Sequence, residues 1–308
     1  MRRPSATLPV LLSVVLLSVV LGLAGCGGSQ NSGGGLPSPL RVGVIPNISP
    51  DNQRAQYEPF RAYLADRLKT DVELFVATNY AGVVAALVAG KLDVAYLGGL
   101  TMVQAESQTK LVPLVTEVDR ETGTPEYLSA IVVKDASPYK STKDVVGAGG
   151  RFAFGDVSST SGSLYPRVMI TDAGARCDTG DLTRCPPLAS VAFTGGHDAA
   201  AQAVLSGTVD AAGLELRILH RLEKQGSVPQ GALRVVETRQ VMGYPWVASD
   251  RLAQPVRQAV TDAFLAIKDP KLLDLMRAKR YVAVSDADYQ EVRQQASRLG
   301  LLTALKGQ

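Results

Sequence analysis

The sequence predicts an α/β fold of two similar lobes that face each other across a cleft. Three observations carry that reading. From residue 40 onward short apolar strands alternate with amphipathic helices, the pattern of helices layered on mostly parallel sheets. A helix–glycine–strand unit occurs twice, at residues 80–98 and again at 197–215. The chain has 308 residues, enough for about two domains at roughly 150 residues each.

Composition closes off other classes. Hydrophobic residues make up 46% of the chain, charged residues 20%, and the net charge is +3 without long runs of one sign. Such a chain can bury a full core, so neither disorder nor a disulfide-only miniprotein fits. A broad nucleic-acid surface usually shows a basic stripe, which this charge balance argues against. Three cysteines and two histidines leave little room for a structural zinc cluster. Nothing in the chain asks for a metal or another cofactor.

In chain order, Arg2 and Arg3 precede an apolar run over residues 8–23, broken by Pro9, Ser13 and Ser18. A membrane span needs about 20 apolar residues, so this run is short and interrupted. It reads as an export signal with a basic start, an apolar middle and a small-residue cleavage site. Leu23-Ala24-Gly25-Cys26 resembles the lipobox of bacterial lipoproteins, which implies cleavage before Cys26 and lipidation of its sulfur. Residues 1–25 are then the signal peptide and 26–39 a flexible tether. An ordinary secretory signal with an incidental cysteine is the competing reading.

Residues 40–45 form a buried strand, and Tyr57, Phe60, Leu64 and Leu68 then recur at helical spacing. Residues 72–77 are the next strand. The first repeat follows: YAGVVAALVAGKLDVAYLG lies over HDAAAQAVLSGTVDAAGLE without a gap, so that Gly90 meets Gly207 and Asp93 meets Asp210. Each copy is an Ala/Val-rich helix, a glycine suited to a left-handed C-cap, and a short strand. Alanine-rich strings match by chance, so the shared grammar carries the case rather than the identities. Ligands of open α/β sheets sit at the carboxyl ends of strands, beside helix N-termini. Tyr80 and His197, the first residues of the two repeated helices, would look into the cleft from opposite sides.

Residues 152–156 are a strand, VSSTSG follows, and residues 163–173 read as a helix whose Pro166 fits only near the first turn. Four consecutive hydroxyl residues thus lie between a strand end and a helix start. Free N–H groups and the positive dipole end favour an anion there, and Ser159 and Thr160 add hydroxyl donors. The loop lacks the P-loop lysine, which argues against a nucleoside triphosphate. A solvated helix cap is the bland alternative. His197 is either an oxyanion donor or an exposed capping residue, and His220 reads as a helix-surface residue. Residues 189–194 and 233–237 are later strands. Cys177 and Cys185 flank a polar loop; an oxidising compartment favours a disulfide, and a redox or metal pair is the alternative.

The stretches TNYAGVVAALVAGKLDVAYLG, RFAFGDVSSTSG and FTGGHDAAAQAVLSGTVDA resemble the phosphonate/phosphite/phosphate-binding subunits of ABC importers, over essentially all of residues 40–301. The resemblance implies a two-lobed type II periplasmic-binding-protein fold with two hinge crossings, lobe one at residues 40–127 plus 243–308 and lobe two at 128–242. It implies a monomer that captures a small phosphorus oxyanion and hands it to a membrane permease and its ATPase, with no nucleic acid involved. It also implies a grip by Tyr80, Tyr127, Ser159, Thr160, Ser161 and His197, of which Tyr127 rests on the resemblance alone. In members that bind aminoalkylphosphonates, carboxylates hold the ligand amine. Here Tyr244 stands where one acid is expected, Arg217 lies near the place of the other, and Glu215 is the nearest carboxylate in sequence. An unpaired buried ammonium is costly, so phosphite, methylphosphonate or phosphate is favoured over 2-aminoethylphosphonate. Glu215, Tyr244 and Trp246 are the candidates for the fourth ligand position. An oxyanion sensor signalling to a membrane kinase is the alternative function, and an exported phosphoester enzyme a remote one. The expected location is the extracytoplasmic face of a bacterial membrane.

Overall fold

A computed structural model describes residues 35–302. Cys26 and the expected signal peptide lie outside the described residues, as does most of the expected tether.

The chain first lays down β1 (Leu40–Val44), α1 (Pro50–Leu68), β2 (Val72–Val76), α2 (Tyr80–Val88), β3 (Val94–Tyr96), α3 (Gly99–Glu106) and β4 (Leu111–Asp119). It then builds a second sheet and its helices: β5 (Glu126–Lys134), α4 (Thr142–Gly147), β6 (Arg151–Phe154), α5 (Tyr165–Asp172), β7 (Ser190–Phe193), α6 (His197–Ser206), β8 (Ala211–Glu215), α7 (Leu216–Lys224) and β9 (Leu233–Met242). It returns to the first sheet with β10 (Trp246–Ser249), and closes with α8 (Gln254–Leu265), α9 (Pro270–Leu275), β11 (Ala278–Ala283) and α10 (Gln290–Arg298). The six-stranded sheet has the order β11-β4-β10-β3-β1-β2, and the five-stranded sheet the order β7-β6-β8-β5-β9. In each, three parallel strands are joined by one antiparallel strand, β10 beside β3 and β5 beside β8. The expected two-lobed α/β fold is therefore present, with one lobe on each sheet.

Local chemistry accounts for the elements. Tyr57, Phe60, Leu64 and Leu68 form the buried stripe of α1. Gly90 and Gly207 end the two repeated helices with φ of +71° and +78°, a left-handed backbone that glycine adopts without a Cβ penalty. Phe60, Trp246 and Phe264 stack in the core of the first lobe, with ring centroids 4.6–5.2 Å apart. Two further apolar clusters cover the two faces of the second sheet. Cys177 and Cys185 are joined as a disulfide, and Cys185 Sγ accepts from the buried Arg167 at 3.1 Å.

Three boundaries differ from the sequence expectations. β9 runs on to Met242 because it pairs with β5 along its whole length, although polar Thr238, Arg239 and Gln240 hide it. The helix expected over 163–173 begins as a π-turn, Thr160–Leu164, before α5 takes over. Tyr127, expected at the end of the first lobe, already pairs with Val241 in the second sheet. The crossings thus fall at residues 120–125 and 243–245. Gly243 is required at the second one: a Cβ there would sit 2.4 Å from Thr116 Oγ1 and 2.5 Å from the Pro125 carbonyl.

Candidate functional site

The carboxyl ends of the parallel strands of both sheets meet, and the helix starts beyond them converge. Tyr80 is the first residue of α2, capped by Asn79, whose side chain accepts from Gly82 N–H. His197 is the first residue of α6, after Gly195 at φ +82°. Beside His197 and facing Tyr80, the π-turn follows β6. Ser159 Oγ accepts from Gly162 N–H at 2.9 Å, and the Ser159 carbonyl accepts from Ser163 and Leu164. That wider turn leaves the amides of Thr160 and Ser161 without an acceptor among the described residues.

Every residue of the expected grip is buried: Tyr80, Tyr127, Ser159, Thr160, Ser161 and His197 are each at most 2% exposed. Tyr127 Oη, Ser161 Oγ and His197 Nε2 are completely covered and make no hydrogen bond within the protein. A buried donor without an acceptor costs about 1–3 kcal/mol, so three of them on neighbouring elements are unfavourable unless something accepts from them. His197 Nδ1 accepts from the Glu215 amide at 3.2 Å. Burial holds the imidazole pKa below its ordinary value, helped by the charge of Arg217. A neutral ring whose Nδ1 is an acceptor carries its proton on Nε2, the atom with nothing to donate to. Gly162 makes room for this ring, since a Cβ there would lie 2.9 Å from His197 Cε1.

Hydrogen bonds also tie the two lobes together around the site. Leu100 N–H donates to Thr160 Oγ1 at 2.9 Å, and Thr101 Oγ1 donates to the Ser158 carbonyl. The His197 amide donates to the Asn47 carbonyl across the cleft, and within the first lobe Tyr80 Oη donates to Asn47 Oδ1 at 2.6 Å. The Tyr80 amide reaches Asp156 Oδ2, and burial raises the Asp156 pKa. Thr160 therefore spends an acceptor lone pair on the opposite lobe and keeps its own proton to donate.

The three residues proposed for the fourth position separate. Trp246 lies in the first-lobe core, stacked on Phe60, and is no part of the site. Tyr244 stacks on Tyr96 and packs against Tyr127, and its hydroxyl donates to Glu215 Oε2 at 2.7 Å. Glu215 also takes Arg217 Nε at 2.5 Å. Arg217 Nη1 extends across to Glu117 Oε1 at 3.0 Å and Asp119 Oδ2 at 3.3 Å, both on β4 of the other lobe. Burial raises the Glu117 pKa; it also pushes up that of Glu215, but there the Arg217 charge, His197 and the hydrogen bonds from Tyr244 and Arg217 together outweigh it and lower the pKa. Sequence reasoning missed Asn47, Asp156, Glu117 and Asp119. The last two left a signal, acids two residues apart in an apolar strand and hence on one face of it. His220 is half-exposed on α7 and meets Glu121 at 2.8 Å in the first crossing, away from the grip. Among the described residues no group of three or more His, Cys, Asp or Glu is placed to hold a metal ion, and no helix is long and apolar enough to cross a membrane.

Known proteins share both the sequence and this architecture. The phosphate-import protein PhnD of Mycolicibacterium smegmatis is 28% identical over 296 residues, covering 89% of this chain and 91% of that protein. The probable ABC transporter phosphite binding protein PhnD1 of Prochlorococcus marinus is 25% identical over 279 residues, covering 85% and 90%. The solved structure of PhnD1 from Prochlorococcus marinus in complex with methylphosphonate aligns with a TM-score of 0.74 at 25% identity, covering 86% of this chain and 100% of that one. Residues 42–289 match the family described as the periplasmic substrate-binding protein of the phosphonate ABC transporter, and the chain belongs to that family.

Proposed function

We propose that this protein captures a small phosphorus oxyanion, namely phosphite, methylphosphonate or phosphate, between its lobes and delivers it to an ABC permease and its ATPase. The observation that carries the ligand class is the set of buried donors without acceptors, Tyr127 Oη, Ser161 Oγ and His197 Nε2, beside the free amides of the π-turn. A tetrahedral oxyanion offers acceptors in several directions at once, which suits donors arriving from both lobes. Tyr80, Ser159 and Thr160 complete the grip in this reading. Relatives named for phosphate and phosphite, and a fold neighbour in complex with methylphosphonate, support the same class.

Binding needs no covalent chemistry. Residues 120–125 and 243–245 serve as hinges between a first lobe (35–119 and 246–302) and a second lobe (126–242). Closure replaces ligand hydration with fixed donors and forms the cross-lobe bonds described above. The protein acts as a monomer without enzymatic activity, held at the extracytoplasmic face of a bacterial membrane through lipid on Cys26. Calorimetry with phosphite, methylphosphonate, phosphate, 2-aminoethylphosphonate, arsenate and sulfate tests the ligand class. Tight binding of one of the first three supports it, and binding of sulfate alone overturns it. Mass spectrometry of membrane-extracted protein should show a chain that begins at modified Cys26. An unmodified start elsewhere, on freely soluble protein, defeats the anchor.

A further inference from the structure

Arg217 is 4% exposed, and acids and aromatic rings lie against its guanidinium, with Arg221 farther along the same small cavity. Three carboxylates surround its guanidinium: Glu215 from its own lobe, and Glu117 and Asp119 from β4 of the other. Its Cζ lies 4.5 Å from the Tyr127 ring centroid and 5.8 Å from that of Tyr244, within cation–π range of both. Tyr127 is at once a wall of this cage and one of the unacceptored donors of the grip. The cage and the oxyanion site therefore share a wall. The free space left beside the guanidinium is a cavity of about 20 Å³, walled by Asn47, Gln53, Tyr57, Tyr96 and Glu215 among others. That is room for a water and not for an alkylammonium group.

We propose that Arg217 determines which ligands fit, because its guanidinium is a cation supplied by the protein itself, in the place where a ligand's positively charged substituent would otherwise sit. With Arg217 present, a phosphorus oxyanion carrying an ammonium arm meets both an occupied volume and a like charge. With the side chain removed, the same carboxylates and rings become a receptor for that arm. This rests on the phosphorus-oxyanion reading above, and the experiment separates the two.

Calorimetric affinities for methylphosphonate, ethylphosphonate and 2-aminoethylphosphonate are measured on the wild-type protein, Arg217→Lys and Arg217→Ala. The wild-type protein should prefer methylphosphonate to 2-aminoethylphosphonate by about a hundredfold or more, and Arg217→Lys should keep that order because it keeps a resident cation. Arg217→Ala should bind 2-aminoethylphosphonate about tenfold more tightly than the wild-type protein does, with a clearly smaller gain for ethylphosphonate. Removing Arg217 leaves three acids facing one another, so the same ligands are also measured on Arg217→Ala with Glu117→Gln, which lightens that charge. Equal gains for ethylphosphonate and 2-aminoethylphosphonate would reduce Arg217 to a space-filler and overturn the proposal. An unchanged preference in both alanine variants overturns it as well. Failure of the wild-type protein to bind any of these ligands, or phosphite and phosphate, would instead sink the phosphorus-oxyanion reading.

Discussion

The two copies of the repeated unit share a scaffold and differ in chemistry. In the first, Arg41 on β1 grips Asp93, accepting partner to its amide and guanidinium, and also donates to the Gly90 carbonyl. In the second, Arg151 on β6 grips Asp210 through the same atoms and donates to the Gly207 carbonyl. The strand registers agree as well, Val42 with Val94 and Phe152 with Ala211. Yet one helix opens on a tyrosine whose hydroxyl is bound to Asn47, and the other on a histidine whose Nε2 is unengaged. The strand after each helix leads to Gly98 in one copy and to Glu215, bonded to Arg217, in the other. Duplication repeats the backbone placement of the site, and single side chains then assign the roles.

The most disruptive test of this division strikes the hydroxyl loop of the second lobe. Thr160→Ala removes a donor for the oxyanion and also the acceptor of the Leu100 amide across the cleft. A hydrogen bond to a charged group contributes about 1.5–3 kcal/mol, so affinity for methylphosphonate or phosphite should fall tenfold or more, up to about a hundredfold. Circular dichroism should not change. Unaltered affinity would return the loop to a plain helix cap.

A sharper test compares the two helix starts directly. His197→Ala should cost about tenfold in affinity, since Nε2 has no other acceptor to lose. Tyr80→Phe should cost less, about threefold, because its hydroxyl is already committed to Asn47. Equal losses at the two positions would mean that the copies share the ligand evenly.

Much of this site was legible beforehand because it depends on local signals. Glycines past the repeated helices marked their left-handed ends, and four hydroxyl residues between a strand and a helix marked the loop proposed to hold the anion. Asn47 was not legible: it is one polar residue in a loop, and its role arises only because His197 and Tyr80 approach it from other elements. Trp246 misled for a related reason. It stands two residues from Tyr244, but Tyr244 belongs to the crossing, whereas Trp246 opens β10 and turns into the core. The cage around Arg217 joins residues about a hundred positions apart, and no periodicity reports such a distance.

The chain's two histidines offer a gentler comparison by pH. An unfolded histidine titrates near 6.5. Burial holds His197 below that value, so the unfolded state binds the extra proton first as pH falls, and stability is lost below about 6.5. His220 goes the other way, because its hydrogen bond to Glu121 raises its pKa. Its contribution is present below about 6.5 and is lost as pH rises through the folded value. Ring-proton chemical shifts should therefore give His197 a lower midpoint than His220. The reverse order would contradict the neutral, burial-held ring assigned to His197.

The smallest effect concerns the clamps themselves, and it asks how alike the two scaffolds are. Asp93 is 12% exposed and Asp210 is 28% exposed, while both arginine partners are more than a third exposed. Solvent screens such pairs, and the exposed guanidinium contributes little beyond its hydrogen bonds. What remains is chiefly the backbone bond: each carboxylate accepts the amide of its own arginine, and each arginine carbonyl accepts the aspartate amide in return. Asparagine keeps one acceptor oxygen and loses the charge. Asp93→Asn should then destabilise by about 1 kcal/mol and Asp210→Asn by about half of that, because water reaches the second clamp more easily. Urea unfolding measures both, and ligand affinity should not change in either variant, since neither clamp touches the grip. A larger loss at Asp210 than at Asp93 would show that the second clamp carries strain or packing that its matching geometry conceals, and the equivalence of the two scaffolds would fail.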